Sequence, residues 1–265
     1  MPELAEVAYY AKQWATGLGQ AAKNVEIHPK ARVFRDMEQP GRLALLIKGS
    51  RYKEWRTHGK QMFFRFGNVW LSGHLGMTGK LWVAPKNYIP EKHDHLVFQQ
   101  AKQQLVFTDP RMFGHWQNYD GAAFDMFWAS LPPEVLDSRF TKSRLSEFLK
   151  RRARSPLKAV LLMQETFPGV GNWMADEILW RCQFDPRRRA GTLSESETAQ
   201  LWTKLRLVCR QAMRVIATDW NTPPNTWLFN HRWKDGGTCP CGAPLVRETV
   251  GGRTTCWCPT CQEGE

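Results

Sequence analysis

Apolar residues recur along this chain at two different spacings, which divide it into a strand-rich first half and a helix-rich second half. Near the start, Leu4, Val7, Ala11 and Trp14 are spaced as on one face of a helix. Short apolar runs separated by turn residues then follow, a pattern typical of an antiparallel sandwich or barrel. The predicted strands cover residues 25–28, 43–47, 62–66, 69–73, 80–83, 95–99 and 104–108.

From about Phe124 the apolar spacing becomes that of helices. Residues 143–152, 157–165 and 172–182 are predicted helices, and Ser194 with Glu197 forms a capping box before a long helix that runs to about Ala217. A loop rich in proline and asparagine follows at 219–230. A cysteine-bearing hairpin at 239–261 closes the pattern.

Charge points to a polyanionic partner. The 265 residues carry a net charge of +12 and the sequence pI is about 9.6. A folded protein with this excess of cations usually contacts nucleic acid, although a merely basic soluble protein is the alternative. No apolar run reaches membrane-spanning length and the amino terminus lacks a signal-peptide core, so we expect no membrane partner and a cytoplasmic, nucleoid-associated location.

Five of the seven cysteines lie in the last part of the chain, as expected for metal ligands in a reducing compartment. Cys258 and Cys261 have the spacing of a zinc knuckle, and Cys239 and Cys241 form a tighter pair. Four thiolates in this order suit one tetrahedral structural zinc ion. Cys256 is a further thiol that can substitute for one of the four. Such a site folds the hairpin rather than performing chemistry.

The first residues, Met1-Pro2-Glu3, carry candidate chemistry. A small second residue normally allows removal of the initiator methionine, which leaves the secondary amine of Pro2 as a nucleophile beside a carboxylate. A helix that begins at Leu4 favours the unprotonated amine through its macrodipole. Taken alone, the segment is better explained as a plain leader into a helix.

Two segments of the helical half are candidate phosphate contacts. Glycines in the turn 167–172 leave backbone N–H groups available at a helix start, and Asn172 adds a side-chain donor. Upstream, the basic run 150–154 and Lys158 can follow a DNA backbone. A plain helix–helix turn and a solvated helix face are the alternatives for these two segments.

Three side chains near strand ends form a candidate wedge. Met77, Arg111 and Phe113 combine a thioether, a cation and an aromatic ring, which suits insertion into a base stack after a nucleotide is turned out. Core packing is the alternative for Met77. His93 and His95 are better explained by a loop that contacts phosphate or packs locally than by a metal pair.

Together these motifs resemble the formamidopyrimidine-DNA glycosylase/endonuclease VIII family over nearly the whole chain. The segments PELAEV, HGK, HLGMTG, EKHDH, DPRMFG, GVGN, GGR and CPTCQ follow in the family's order. The resemblance implies an α+β multidomain fold: an N-terminal antiparallel β-sandwich with an N-terminal helix (1–120), a helix–two-turn–helix domain with a lesion-capping loop (121–230) and a C-terminal β-hairpin zinc finger (231–265). DNA is then expected in the cleft between the halves.

The resemblance also implies roles for individual residues. Pro2 matches the Schiff-base nucleophile, Glu3 the proton donor to the sugar ring and Glu6 a supporting carboxylate. Lys60 resembles the lysine of β-elimination, and Arg253 the zinc-finger arginine of phosphate binding and δ-elimination. Positions that match the family's DNA contacts are His93, Arg111, Arg154, Lys158 and Asn172, and positions that match its void-filling wedge are Met77, Arg111 and Phe113.

The implied function is that of a bifunctional DNA glycosylase and AP lyase, a monomer that acts on damaged double-stranded DNA and favours oxidised purines. Two departures stand out. Ala5 replaces a proline of the family motif, and Ala8 replaces a glutamate, which removes a charge and can alter lesion preference. The alternative is a damage-binding protein on the same scaffold that has lost turnover.

Overall fold

The structure is a computed structural model that describes residues 1–28, 30–37 and 39–262. Residues 263–265, the end of the segment predicted as a zinc finger, lie outside the described residues. The chain forms two compact units: the first contains Met1–Pro2 and Glu6–Leu131, and the second contains Glu3–Ala5 and the chain from Pro132 onward. None of the described helices is both long and apolar enough to cross a membrane.

The first unit is built mainly from eight strands and three helices among the described residues. In chain order they are α1 (Leu4–Gln13), β1 (Asn24–Ile27), α2 (Pro40–Ile47), β2 (Tyr52–His58), β3 (Gln61–Phe66), β4 (Val69–His74), β5 (Lys80–Pro85), β6 (Asp94–Gln99), β7 (Gln103–Thr108), β8 (His115–Asp120) and α3 (Gly121–Ser130). They pair into two antiparallel four-stranded sheets, with the orders β1-β6-β7-β5 and β2-β3-β4-β8. The first two residues of α1 pack with the second unit.

The main core lies between these two sheets because alternate side chains of each strand point toward the other sheet. Trp14, which follows α1, is fully buried at its centre, with ring centroids 4.8 Å from Phe64 on one sheet and 5.4 Å from Phe98 on the other. Its indole N–H donates to the carbonyl of Trp82 at 3.2 Å. Truncating so large a buried ring typically costs about 3–5 kcal/mol.

The outer face of the second sheet is also apolar, which explains why β3 reads as an unbroken hydrophobic run. Phe63 points away from the main core and packs with Phe124 of α3, at a centroid distance of 5.4 Å. Trp70 of β4 stacks on the same Phe124 ring at 3.9 Å. Helix α3 therefore covers the centre of this face, and the two middle strands β3 and β4 are mostly buried on both sides.

The second unit consists of helices and a final hairpin. In chain order its elements are α4 (Lys142–Arg151), α5 (Leu157–Leu161), α6 (Asn172–Cys182), α7 (Glu195–Asp219), β9 (Val246–Val250) and β10 (Arg253–Trp257). The predicted capping box starts α7: the Ser194 hydroxyl accepts from the Glu197 amide, and the Glu197 carboxylate accepts from the Ser194 amide. Helix α6 is almost wholly buried and packs against α5, α7 and β10.

Three predictions of secondary structure were wrong or incomplete. Residues 43–47 belong to helix α2 rather than to a strand. Pro40 at its first position fixes a helical φ, and the leucines and alanine that follow are strong helix formers. Strands β2 and β8 were missed, and α5 ends at Leu161 instead of extending to residue 165.

Candidate active site and DNA-contact residues

The carboxylate of Glu3 lies at the amino end of helix α6. Glu3 is 3% exposed; its Oε2 accepts from the backbone N–H groups of Gly171 at 3.0 Å and Met174 at 3.1 Å, and its Oε1 accepts from that of Trp173 at 2.9 Å. These are donors that the first turn of a helix leaves without partners inside the helix. The helix start therefore binds Glu3 as it would bind a separate anion.

Two features of the sequence make this position possible. A Cβ atom at Gly171 would overlap the Glu3 carboxyl group, so only glycine lets the carboxylate approach the helix. Gln164 holds the preceding turn, since its Nε2 donates to the carbonyl of Val170 at 2.8 Å and its Oε1 accepts from the amide of Gly169 at 3.2 Å. Gln164 was not predicted as a site residue, because a glutamine five residues before the first glycine of a turn forms no recognisable motif.

Asn172 and Arg253, the arginine at the start of β10, come from distant parts of the chain but lie on neighbouring elements of the second unit. The Asn172 Nδ2 donates to the carbonyl of Thr254 at 2.8 Å, one residue after the exposed Arg253. Gly251 and Gly252 form the turn between β9 and β10 with φ of 58° and 77°, values that favour glycine. Two predicted phosphate contacts, Asn172 and Arg253, are thus carried on adjoining elements.

The expectation that Lys158 contacts DNA conflicts with its burial. Lys158 is fully buried; its Nζ donates to the carbonyl of Asn172 at 2.7 Å and pairs with Asp176 Oδ1 at 2.5 Å. Burial lowers the pKa of Lys158, and the charge of Asp176 opposes that shift. The ammonium group thus points into the unit and supports the turn before α6. Arg154, in contrast, is exposed as expected for a DNA contact.

Lys60 lies in the first unit, in the two-residue turn between β2 and β3, where Gly59 has φ 58°. Its charge acts on His74 at the end of β4: burial lowers the pKa of His74, and the positive charges of Lys60, His115 and Arg35 lower it further. Lys60 is thus one of three cationic groups whose charges reach the buried imidazole of His74. His74 was not predicted as a site residue, although it opens the motif that contains Met77.

The three predicted wedge residues are exposed on two adjoining loops of the first unit. Met77 is 42% exposed and Phe113 is 49% exposed, and the Arg111 guanidinium lies 4.6 Å from the centroid of the Phe113 ring. A Cβ atom at Gly76 would overlap the backbone of Phe113, so the two loops are in close contact.

A buried carboxylate fixes these two loops together. Asp109 is fully buried; its Oδ1 accepts from the Thr78 hydroxyl at 2.7 Å, and its Oδ2 accepts from the Gly114 amide at 2.7 Å. The backbone of Asp109 also joins this loop to the predicted histidines, because its amide donates to the carbonyl of His93 at 3.0 Å and its carbonyl bonds His95 Nε2 at 2.9 Å. The histidines thus organise the loop.

Four cysteines form the candidate metal site among the described residues. The Sγ atoms of Cys239, Cys241, Cys258 and Cys261 all lie within 4.8 Å of one another. The distances are 3.9 Å between Cys239 and Cys261 and 3.7 Å between Cys241 and Cys258. Bonds of about 2.3 Å to one tetrahedral zinc ion would separate the sulfurs by about 3.8 Å. The four thiols fit such an ion, and Cys256 is not a member of this group.

Hydrogen bonds hold the segment between α7 and the C-terminal hairpin in place. The Asn230 Nδ2 donates to the carbonyls of Pro223 at 2.7 Å and Pro224 at 3.0 Å. Glu177 of α6 accepts from the Phe229 amide at 3.0 Å and pairs with Arg181 at 2.7 Å. Residues 221–230 thus form a closed loop anchored on α6.

The two departures from the family motif are both buried. Ala5 is fully buried and Ala8 is 7% exposed. A side chain larger than alanine at either position would have to displace the packing around α1. Glu6, the remaining acidic position of the motif, is half-buried on the same helix.

Comparison with known proteins places this chain and its architecture in a class of DNA glycosylases. The model of the formamidopyrimidine-DNA glycosylase N-terminal domain matches residues 1–116, and the model of the H2TH domain of the same enzymes matches residues 131–222. A formamidopyrimidine-DNA glycosylase of Roseiflexus sp. is 34% identical over 274 residues, which cover 99% of this chain and 100% of that protein. One from Thermus thermophilus is 34% identical over 278 residues, which cover 99% of this chain and 98% of that protein.

Solved structures agree with this assignment. The Lactococcus lactis enzyme in complex with DNA that contains an oxidised pyrimidine has a TM-score of 0.88 and 27% identity, covering 99% of this chain and 100% of that chain. Its complex with DNA that contains an abasic site has a TM-score of 0.86 and 26% identity, with the same coverage. The chain belongs to the formamidopyrimidine-DNA glycosylase family, and the predicted fold class is confirmed.

Proposed function

We propose that this protein is a base-excision-repair enzyme that removes oxidised bases from double-stranded DNA and then cleaves the strand as an AP lyase. The observation that carries the proposal is the Glu3 carboxylate, held by three backbone N–H groups directly after Pro2 in the chain. The relatives' names and DNA complexes support the substrate class. The exposed Met77, Arg111 and Phe113 support extrusion of a nucleotide, because their side chains can fill the space that it leaves.

In the first step, removal of Met1 frees the secondary amine of Pro2, which attacks C1′ as the bond to the damaged base breaks. The ring oxygen of the sugar must then gain a proton so that the ring opens. Three N–H donors stabilise the ionised form of Glu3. We therefore expect Glu3 to take the proton released by the attacking amine and to pass it to the ring oxygen. Glu6 supports this step as a nearby carboxylate.

The resulting iminium ion keeps its charge, because a tertiary iminium nitrogen has no proton to lose. It acidifies the C2′ proton, whose loss expels the 3′ phosphate in β-elimination, and a second elimination releases the 5′ phosphate. Lys60 and Arg253 neutralise these leaving phosphates. The exposure of Arg253 supports its part in this assignment.

The remaining residues bind the duplex and hold the finger. Arg154, Asn172, Arg111 and His93 are proposed phosphate and backbone contacts, whereas the buried Lys158 acts indirectly by supporting Asn172. The loop predicted at 219–230, whose first residue belongs to α7, is proposed to cap the extruded base. Zinc is the metal that the four-cysteine site fits best, and its role is structural. The domain division 1–120, 121–230 and 231–265 and the monomeric state are likewise proposals.

Borohydride trapping tests the chemistry directly. Protein without an amino-terminal tag is mixed with duplexes that each carry one lesion or an abasic site, and the adduct is mapped by mass spectrometry. We expect a covalent adduct on Pro2, much slower trapping for Pro2→Gly under the same conditions, and greatly reduced trapping when Met1 or a tag is retained. The lesion trapped most efficiently identifies the preferred base.

The alternative function, a damage-binding protein without turnover, is favoured by the replacement of the family's glutamate by Ala8. It predicts tight binding to lesion duplexes with no adduct even at an abasic site, in protein that holds its metal and lacks Met1. That result would refute the proposed lyase.

A further inference from the structure

Strand β10 begins with Arg253. Along one of its edges, the backbone hydrogen-bonding groups face away from its partner strand β9 and need other partners. In a two-stranded antiparallel pair, the N–H and C=O groups of alternate residues point away from the partner. For β10 these include the carbonyl of Thr254 and the amide of Cys256, which lie on the same edge because they are two residues apart. Buried backbone groups of this kind require partners.

Helix α6 supplies both partners from one face. Asn172 Nδ2 donates to the Thr254 carbonyl at 2.8 Å, and Asp176 Oδ2 accepts from the Cys256 amide at 3.1 Å. Asn172 and Asp176 are four residues apart, so they are neighbours on the helix surface. The edge of β10 is thus held at two points, on either side of Thr255.

Asp176 is also the centre of a buried charge cluster. It is 1% exposed and pairs with Lys158 at 2.5 Å and with Arg232 at 2.5 Å. Lys158 in turn donates to the carbonyl of Asn172 at 2.7 Å. One carboxylate of α6 therefore connects this helix to α5, which carries Lys158, and to the strand that carries Arg253. Removing it would leave two buried cations without their partner.

We propose that Asp176 is a positioning residue for Arg253: by holding the edge of β10 in register with α6, it places the arginine for its phosphate contact. The inference rests on the proposed function, in which Arg253 binds a phosphate. Asp176 itself is too deeply buried to touch DNA. Its effect on DNA binding is therefore indirect.

The dependence of DNA binding on salt distinguishes this role from a general loss of stability. Each phosphate contact contributes about one unit to the slope of log affinity against log salt. Binding to a duplex with a chemically reduced abasic site is measured over a salt series for the wild type, Asp176→Asn, Arg253→Ala and the double variant. We expect each single variant to lose about one unit of slope and about tenfold in affinity at low salt, and the double variant to lose no more than Arg253→Ala alone.

Glu197→Gln serves as the matched control. It breaks a carboxylate–arginine pair in the same unit, with Arg188 at 2.6 Å, but Glu197 has no contact with β10 among the interactions of the described residues. This variant should keep the wild-type slope. An Asp176→Asn protein that also keeps the wild-type slope, or losses that add in the double variant, would overturn the proposal.

Two further measurements keep the test decisive. Metal content and the melting transition of each variant show whether the finger and the helices remain folded. If Asp176→Asn does not fold, the combination Lys158→Met with Asp176→Asn removes one of the two uncompensated cations, and the same loss of slope is expected of it. Failure of Arg253→Ala to change the slope would instead count against the proposed role of Arg253, independently of Asp176.

Discussion

At the scale of single residues, Glu3 joins a proposed catalytic role to a role in the stability of the fold. Replacing it with glutamine keeps the shape but turns one acceptor into an NH₂ group that faces backbone N–H donors. We expect Glu3→Gln to lower the free energy of unfolding by about 1–3 kcal/mol, the usual result of leaving buried donors unpaired. It should abolish base excision while some cleavage at preformed abasic sites remains.

Urea unfolding at pH 7 and single-turnover excision assays check both parts of this prediction. Excision is compared well below the urea midpoint of the variant, so that only folded protein is measured. Full excision by Glu3→Gln would remove Glu3 from the mechanism, and unchanged stability would contradict its hydrogen bonds at α6.

Gly171 provides a second test at the same scale. Its φ of −124° is open to any residue, so the reason for glycine is the approach of the Glu3 carboxylate and not the backbone conformation. Gly171→Ala should therefore displace Glu3 and reduce excision at least about tenfold. Gly41→Ala is the control, because a Cβ atom there meets nothing within 4 Å. Equal activity of the two variants would contradict the assignment.

The role of a residue could be predicted from the sequence only where its chemical type permits few roles. Four cysteines, an amino-terminal proline and a glycine turn each permit few functions. Lysine permits many: Lys158 and the exposed Arg154 belong to one basic segment, yet only Lys158 is buried. The difference arises from Asp176, a contact across 18 residues of sequence that the local pattern does not encode.

At the scale of elements, the start of α7 makes stability depend on pH. The Arg188 guanidinium, together with the cap hydrogen bonds to Ser194, lowers the pKa of Glu197 from 4.5 to about 2. Because the folded-state pKa is the lower one, the ionised group stabilises the fold fully above about pH 4.5 and loses this effect as the pH falls toward 2. Glu197→Gln should cost about 1 kcal/mol at pH 7.

The urea midpoints of the wild type and Glu197→Gln, measured from pH 7 down to pH 3, check this prediction. The difference between the two urea midpoints should be constant above about pH 5 and should become smaller below it. If this difference grows as the pH falls, the stability of the cap does not depend on the charge of the carboxylate.

Elements were predictable where two signals agreed. Ser194 and Glu197 marked the start of α7 because a capping box and helical spacing coincide there. Residues 43–47 carried only an apolar run, which short strands and buried helix segments share. The proline at position 40 was the deciding signal for α2. Strand β2 was missed because its charged residues hide the alternation: Lys53, Glu54 and Arg56 all lie within it.

At the scale of the whole molecule, the order of motifs predicted the family and its fold class, but the sequence pattern could not predict contacts between distant segments. Glu3 and Gly171 are 168 residues apart, and Asn172 and Thr254 are 82 apart. Such contacts depend on how complete elements pack. They are also the contacts that the proposed chemistry uses.

We expect the metal to fold the C-terminal hairpin and not to take part in the reaction. The apolar cluster at the base of the finger is small, with Leu228 and Leu245 among its few members other than cysteines, so the hairpin depends on the ion for its stability. Chelation should release one ion per chain, disorder β10 and weaken binding to an abasic-site duplex about tenfold or more. The sandwich of the first unit has a separate core and should keep its near-ultraviolet circular dichroism.

Cys241→Ala should reproduce the loss of the ion and of DNA affinity. Cys256→Ala lies in the same hairpin but outside the four-cysteine group, and it should keep one ion per chain. If Cys256→Ala loses the ion and Cys241→Ala keeps it, Cys256 is the ligand and the tight first pair is not part of the site.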